Sequence, residues 1–100
     1  MKVLVIWEWD NAKDVERLKQ YYGSLTADLA YMTQVDKDVC KKSIWTDGTG
    51  HNVITQEFEN LENFSKVWGD DEYHRSFVRF CRTVDNATRR IVRDGISVPP

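Results

Sequence analysis

The sequence predicts an α+β domain, a four-stranded antiparallel sheet with helices on one face. Its element order is strand, helix, strand, strand, helix, strand. Three observations carry this expectation. Residues 2–9, "KVLVIWEW", are dominated by β-branched and aromatic side chains and stop at Asp10-Asn11. The run "AKDVERLKQYYGSLTADLAYM" repeats apolar residues every three or four positions. Two alternating runs, "CKKSIWTDG" and "HNVITQEFE", meet at the glycine-containing "TDGTG", which has the chemistry of a hairpin turn.

Each element follows from its residues. In the first strand Val3, Val5, Trp7 and Trp9 share one face, and Lys2, Leu4, Ile6 and Glu8 share the other. Both faces are apolar in the middle, so the strand should be central and covered on both sides. Asp10 or Asn11 is the expected cap of the first helix, whose core face would be Val15, Leu18, Tyr22, Leu25, Leu29 and Met32. "TQVDKDVC" reads as a polar connection into the hairpin, where Ile44 opposes Trp45 and Val53 opposes Ile54 and Phe58. Asn60 caps a short second helix carrying Leu61, Phe64, Val67 and Trp68, and Gly69 stops it. Asp70 or Asp71 restarts helical spacing through Tyr73, Phe77, Phe80, Cys81 and Val84. Thr88 to Arg93 suit a last strand, and Pro99-Pro100 cannot pair inside a sheet. This is the split βαβ order of a ferredoxin-like fold. No further helix is left to cover the second sheet face, so a second copy of the sheet is expected to do so.

One hundred residues make a single domain, 1–100. The 14 basic and 16 acidic side chains divide evenly, each half of the chain coming to −1 (7 minus 8). That leaves no concentrated cationic surface and argues against nucleic-acid binding. No apolar run reaches the length of a membrane span and no signal-peptide pattern is visible, so a cytoplasmic protein is expected. Cys40 and Cys81 lack C-x-x-C spacing and read as reduced thiols rather than a redox or zinc site.

"QEFENLENFSKVWGDDEYHRSF", followed by "NATRRIVRDG", resembles the dimeric α/β-barrel superfamily, with its antibiotic-biosynthesis monooxygenase-like and NIPSNAP-like domains. The shared features are a strand ending in aromatic and acidic residues, a short helix with a tryptophan, an acidic break and a second helix. The resemblance implies a homodimer whose sheets pair into a barrel. It also implies a small apolar or aromatic molecule bound or transformed between sheet and helices, by monooxygenase-like or isomerase-like chemistry. The alternative is a non-catalytic homodimeric interaction or regulatory module. In haem-degrading relatives a histidine on the second helix ligates iron; that position falls on Phe77 here, and His74 lies three residues earlier.

Few residues offer chemistry. His74 is a candidate acid/base group facing the space between sheet and helices, or else a surface histidine beside Asp70, Asp71 and Glu72. Glu8 ends an otherwise apolar face and is the second catalytic candidate, or else the wet end of a strand paired with Arg90. Trp7, Trp45, Trp68 and Phe77 are candidate ligand-binding rings, or else core and dimer interface. His51 reads as a solvated turn residue. Arg89 and Arg93 share one strand face and Arg90 takes the other, which divides the basic cluster and suits a protected edge strand. Asp70-Asp71-Glu72 suit the positive end of a helix better than a metal. There is no Gly-rich phosphate loop, G-x-S-x-G or H-E-x-x-H, so neither cofactor nor metal is expected.

Overall fold

The computed structural model describes residues 1–93. The order is β1 (Val3–Asn11), α1 (Val15–Asp36), β2 (Lys41–Thr46), β3 (His51–Phe58), α2 (Leu61–Trp68), α3 (Asp71–Phe80), a short 3₁₀ turn (Cys81–Thr83) and β4 (Val84–Arg93). The strands pair antiparallel in the order β2-β3-β1-β4. This is the ferredoxin-like α+β arrangement, with its second helical element in two pieces.

The helices cover one face of the sheet. Val3, Val5 and Trp7 of β1 and Phe58 of β3 are buried there against Met32, Val67, Tyr73 and Phe80. Edge-on aromatic contacts knit this layer: Trp7 meets Phe77 at 5.0 Å and Trp9 meets Phe80 at 5.2 Å between ring centroids. Such pairs contribute beyond the area they bury. The opposite face carries Leu4, Ile6, Trp45, Val53, Thr55, Arg90 and Val92, from the strand alternation and register. No helix among the described residues packs on it.

The break between α2 and α3 has a local cause at each residue. Asn60 accepts from the Asn63 amide and caps α2. Gly69 ends it, donating to Ser65; a Cβ there would lie 2.7 Å from that carbonyl oxygen. Asp70 then caps α3 by accepting from the Tyr73 amide, and its carboxylate also takes the Tyr31 hydroxyl.

Several expectations are corrected. Asp14, not Asp10 or Asn11, caps α1, because β1 runs on to Asn11. The polar run after Met32 is helix as far as Asp36 rather than a connection. Asp36 is buried and its charge is met by Lys42 at 2.6 Å and Gln56 at 2.8 Å, so polarity there marks a buried network. The core face of α1 is rotated from the expected stripe. Asp28, Met32 and Asp36 are buried, whereas Val15, Tyr22 and Leu29 stand exposed. Val84 belongs to β4, which starts four residues before Thr88. Its first residues pair across a bulge: Thr88 faces Glu8 but Asp85 faces Asp10. Asn86 takes the left-handed conformation (φ 56°) that the bulge needs. Pro99 and Pro100 lie outside the described residues.

Candidate functional site

The first chemically distinctive place is a corner where β4, α2 and α3 meet. β4 pairs with β1 so that Arg89 lies opposite Trp7, on the helix-covered face. Its guanidinium carbon sits 4.0 Å from the Phe77 ring centroid, 4.3 Å from that of Trp68 and 5.6 Å from that of Trp7. All three distances lie within the range of cation–π attraction. Burial lowers the Arg89 pKa, and among the described residues no carboxylate pairs with it. One guanidinium nitrogen, Nη1, is buried without a hydrogen-bond partner among the described residues.

The other, Nη2, lies 3.1 Å from His74 Nδ1, while His74 Nε2 lies 2.7 Å from the Trp68 carbonyl oxygen. These partners assign the tautomer. A carbonyl only accepts, so Nε2 carries the proton, and the Nδ1 lone pair accepts from Arg89. The imidazole also stands edge-on to Trp68 at 4.9 Å. His74 is therefore half-buried in a defined hydrogen-bonded position, not a surface residue among acids.

The predicted residues divide into two groups. Trp7, Trp68, Phe77 and His74 converge on Arg89. Glu8 and Trp45 lie on the opposite face of the sheet, so neither can act together with His74. Glu8 is level with Val53 and Thr88; Arg90, its expected partner, lies opposite Ile6, two pairs further along. Trp45 sits on the edge strand β2 and is 66% exposed. His51 is the first residue of β3 and not a free turn residue: it is half-buried and its Nδ1 lies 2.8 Å from Asp10, which raises its pKa.

Arg89 and a second polar cluster are absent from the sequence-based candidates. Beneath the helices Trp7 donates to Gln56, Gln56 donates to Asp36 and to the Tyr73 hydroxyl, and Lys42 reaches Asp36. Burial drives the Tyr73 hydroxyl pKa upward, so it stays protonated. The nearby Cys40 thiol is pushed up to about 11, first by burial and then by Asp36, and is unreactive at neutral pH. The cavity these residues enclose measures about 30 Å³, room for a single water. A signal for this cluster was present: Gln56 interrupts the apolar face that Ile54 and Phe58 share.

No protein-family model matches the sequence, and neither does any curated protein sequence. Solved structures do resemble it. A protein from Deinococcus radiodurans assigned to the antibiotic-biosynthesis monooxygenases is 15% identical with a TM-score of 0.60, covering 98% of this chain and 97% of its own. SnoaB from Streptomyces nogalater, a cofactor-independent oxygenase (in its N63A mutant form), is 6% identical with a TM-score of 0.60, covering 99% and 98%. A dimeric Bacteroides fragilis protein of unknown function and ferredoxin-like fold is 15% identical with a TM-score of 0.54, covering 92% and 95%. At these identities the likeness is one of fold, and the fold shared is the ferredoxin-like α+β arrangement.

Proposed function

We propose that the protein is a homodimer whose subunits each bind a small planar aromatic molecule at the Arg89 corner, for monooxygenase-like or isomerase-like chemistry. The observation that carries this reading is a half-buried guanidinium held between Phe77 and Trp68, with no carboxylate partner and one unpaired N–H nitrogen among the described residues. A desolvated cation with an unused donor is suited to an oxyanion, such as the phenolate or enolate of an aromatic ketone. The rings beside it offer the ligand a flat apolar face. An oxyanion that takes Arg89 Nη2 would free the His74 Nδ1 lone pair, which then becomes the proton acceptor for the ligand hydroxyl. Similarity of fold to an oxygenase supports this chemistry only as analogy.

The dimer is proposed to pair the two open sheet faces. Support comes from Leu4, Ile6, Val53 and Val92 on a face that no helix covers, and from the dimeric state of one similar structure. Trp45 and Glu8 then belong to the interface between the sheets. The second reading, a non-catalytic homodimeric module, is favoured by one observation. The cavity beneath the helices, of about 30 Å³, is far below the roughly 300 Å³ of ordinary ligand pockets.

Two measurements decide between them. Size-exclusion chromatography with light scattering should return twice the chain mass at micromolar concentration; a stable monomer removes the proposed interface. A thermal-shift series with polycyclic phenols, flavins and haem should raise the melting temperature of the wild type for the phenols. Arg89→Met should lose that rise. A series with no stabilising compound would leave the structural module as the surviving reading.

A further inference from the structure

We infer a second ligand site, independent of Arg89, at the opposite end of the aromatic layer, shaped for an amphipathic molecule with an apolar body and a head that accepts hydrogen bonds. Two concavities of opposite character adjoin there and share Asn11, Ala12 and Val84. The first is an apolar groove of about 410 Å³ between α1, β1 and the end of α3, walled by Trp9, Leu18, Leu25, Leu29, Phe80 and Val84. The second is a polar cleft of about 860 Å³ that includes Asp10, Lys13, Arg17, Asp85 and Asn86. Each exceeds the lower size of small-molecule sites, in contrast to the space under α3.

The hydrogen-bond inventory selects the head group. Both carboxylates in the cleft already hold a donor at each oxygen. Asp10 takes His51 at one oxygen and Asn86 at the other, and Asp85 takes the Arg17 guanidinium and the Lys13 amide. Arg17 Nη2 and the Asn86 amide are spent on Asp85 and Asp10, but other donors have no partner among the described residues. Arg17 Nε is buried without a partner among the described residues. Asn52 occupies the Asn11 carbonyl oxygen, which leaves the Asn11 amide N–H groups free. Among the described residues Trp9 Nε1 and Lys13 Nζ also donate to no protein group. A ligand that complements the unpartnered donors brings acceptors, as a carboxylate or carbonyl does, whereas an ammonium head would have to share Asp10 and Asp85 with the donors already on them. The apolar wall extends onto the surface of α1, where Leu29 is 44% exposed and Tyr22 63%. The misassigned stripe of α1 is thus one side of this groove.

Decanoate and decylamine, titrated below their micellar concentrations, share a tail and differ in the head. The expected result is saturable one-to-one binding of decanoate with a shift of the Trp9 indole N–H resonance, and decylamine at least about tenfold weaker. Leu29→Glu, at an exposed position, places a charge in the apolar wall and should weaken decanoate about tenfold or more, since an unpaired charge resists burial. Lys13→Gln should weaken it by a smaller factor, and Arg89→Met should leave it unchanged. Equal binding of the amine, no saturable binding, or full affinity in both Leu29→Glu and Lys13→Gln would overturn the site. So would loss of binding in Arg89→Met, which would move the ligand to the other corner. If Leu29→Glu instead dissociates an oligomer and decanoate never binds, the groove belongs to a neighbouring copy.

Discussion

Two arginines on the helical side of the molecule are treated in opposite ways. Arg79 of α3 is met by acids: it reaches the buried Asp28 of α1 at 3.0 Å and Glu72 two turns back on the same face of α3, and these hydrogen bonds raise its pKa. Arg89 of β4 is met by rings and a neutral imidazole, and burial lowers its pKa. The first arrangement pairs its charges within the chain and joins α1 to α3, although Asp28 Oδ2 is buried without a hydrogen-bond partner among the described residues. The second leaves charge and a donor unmatched. An incomplete cation beside flat apolar surface is what distinguishes a candidate site from a structural cross-link in this fold.

The largest effect should come from breaking the charge-paired arrangement. Asp28→Ala leaves Arg79 facing a buried hole where its carboxylate stood. Removing one partner of a buried pair costs about 3 kcal/mol or more; Glu72 remains to hold Arg79, so the low end is expected. Urea denaturation should show the midpoint fall, and Asp28→Ala combined with Arg79→Met should recover part of it by removing the stranded charge. A loss below about 1 kcal/mol in the single variant would mean the α1–α3 cross-link is solvated, like an ordinary surface pair.

The same contrast explains what could be read from sequence. Asn60, Gly69 and Asp70 act on their own neighbours, so the two-piece helix and its break were legible from local chemistry. The hairpin at 47–50 was legible for the same reason, with Asp47 accepting from Thr49 and His51 amides. Arg89 was not, because its meaning depends on which face of β4 meets Trp7. That parity is set by the bulge at Asn86, which inserts a residue between Thr88 and Asp85 and cannot be counted from spacing. The stripe on α1 misled for a related reason. Periodicity finds an apolar face but not which of two faces meets the sheet, and here Asp28 and Asp36 are buried through partners on α3 and β2. Of the proposed site, the rings were legible and the cation that gathers them was not.

A smaller effect, and a sharper test of the comparison, comes from Arg89→Met. The variant strands no carboxylate, removes a desolvated charge, and keeps much of the volume against Phe77 and Trp68. Stability should change by no more than about 1 kcal/mol in either direction, against the larger loss at Asp28. The stabilisation by phenols proposed above should vanish in the same variant. A severe loss of stability would show that the ring contacts hold the corner together, making Arg89 a structural partner as Arg79 is.

The smallest effect concerns pH, and it lies at the other end of the sheet. His51 and Asp10 join β3 to β1 at 2.8 Å. The hydrogen bond to Asp10 raises the His51 pKa above its ordinary value, and Asp10 is lowered, first by Asn86 and then by His51. A histidine raised on folding stabilises fully below its unfolded value of about 6.5, and that contribution is lost as pH rises through the folded value. A lowered aspartate behaves the other way: its contribution is present above the unfolded value and lost as pH falls through the folded one. The pair therefore supports the fold most between these limits and declines on the alkaline side of about pH 6.5. Both groups are partly exposed, so the effect is a slope rather than a large step. His51→Gln should flatten the urea midpoint between about pH 6 and 8 relative to wild type. His74 is present in both proteins, so the difference between them isolates His51. If wild type and variant fall in parallel across that window, the Asp10–His51 bond does not couple to folding.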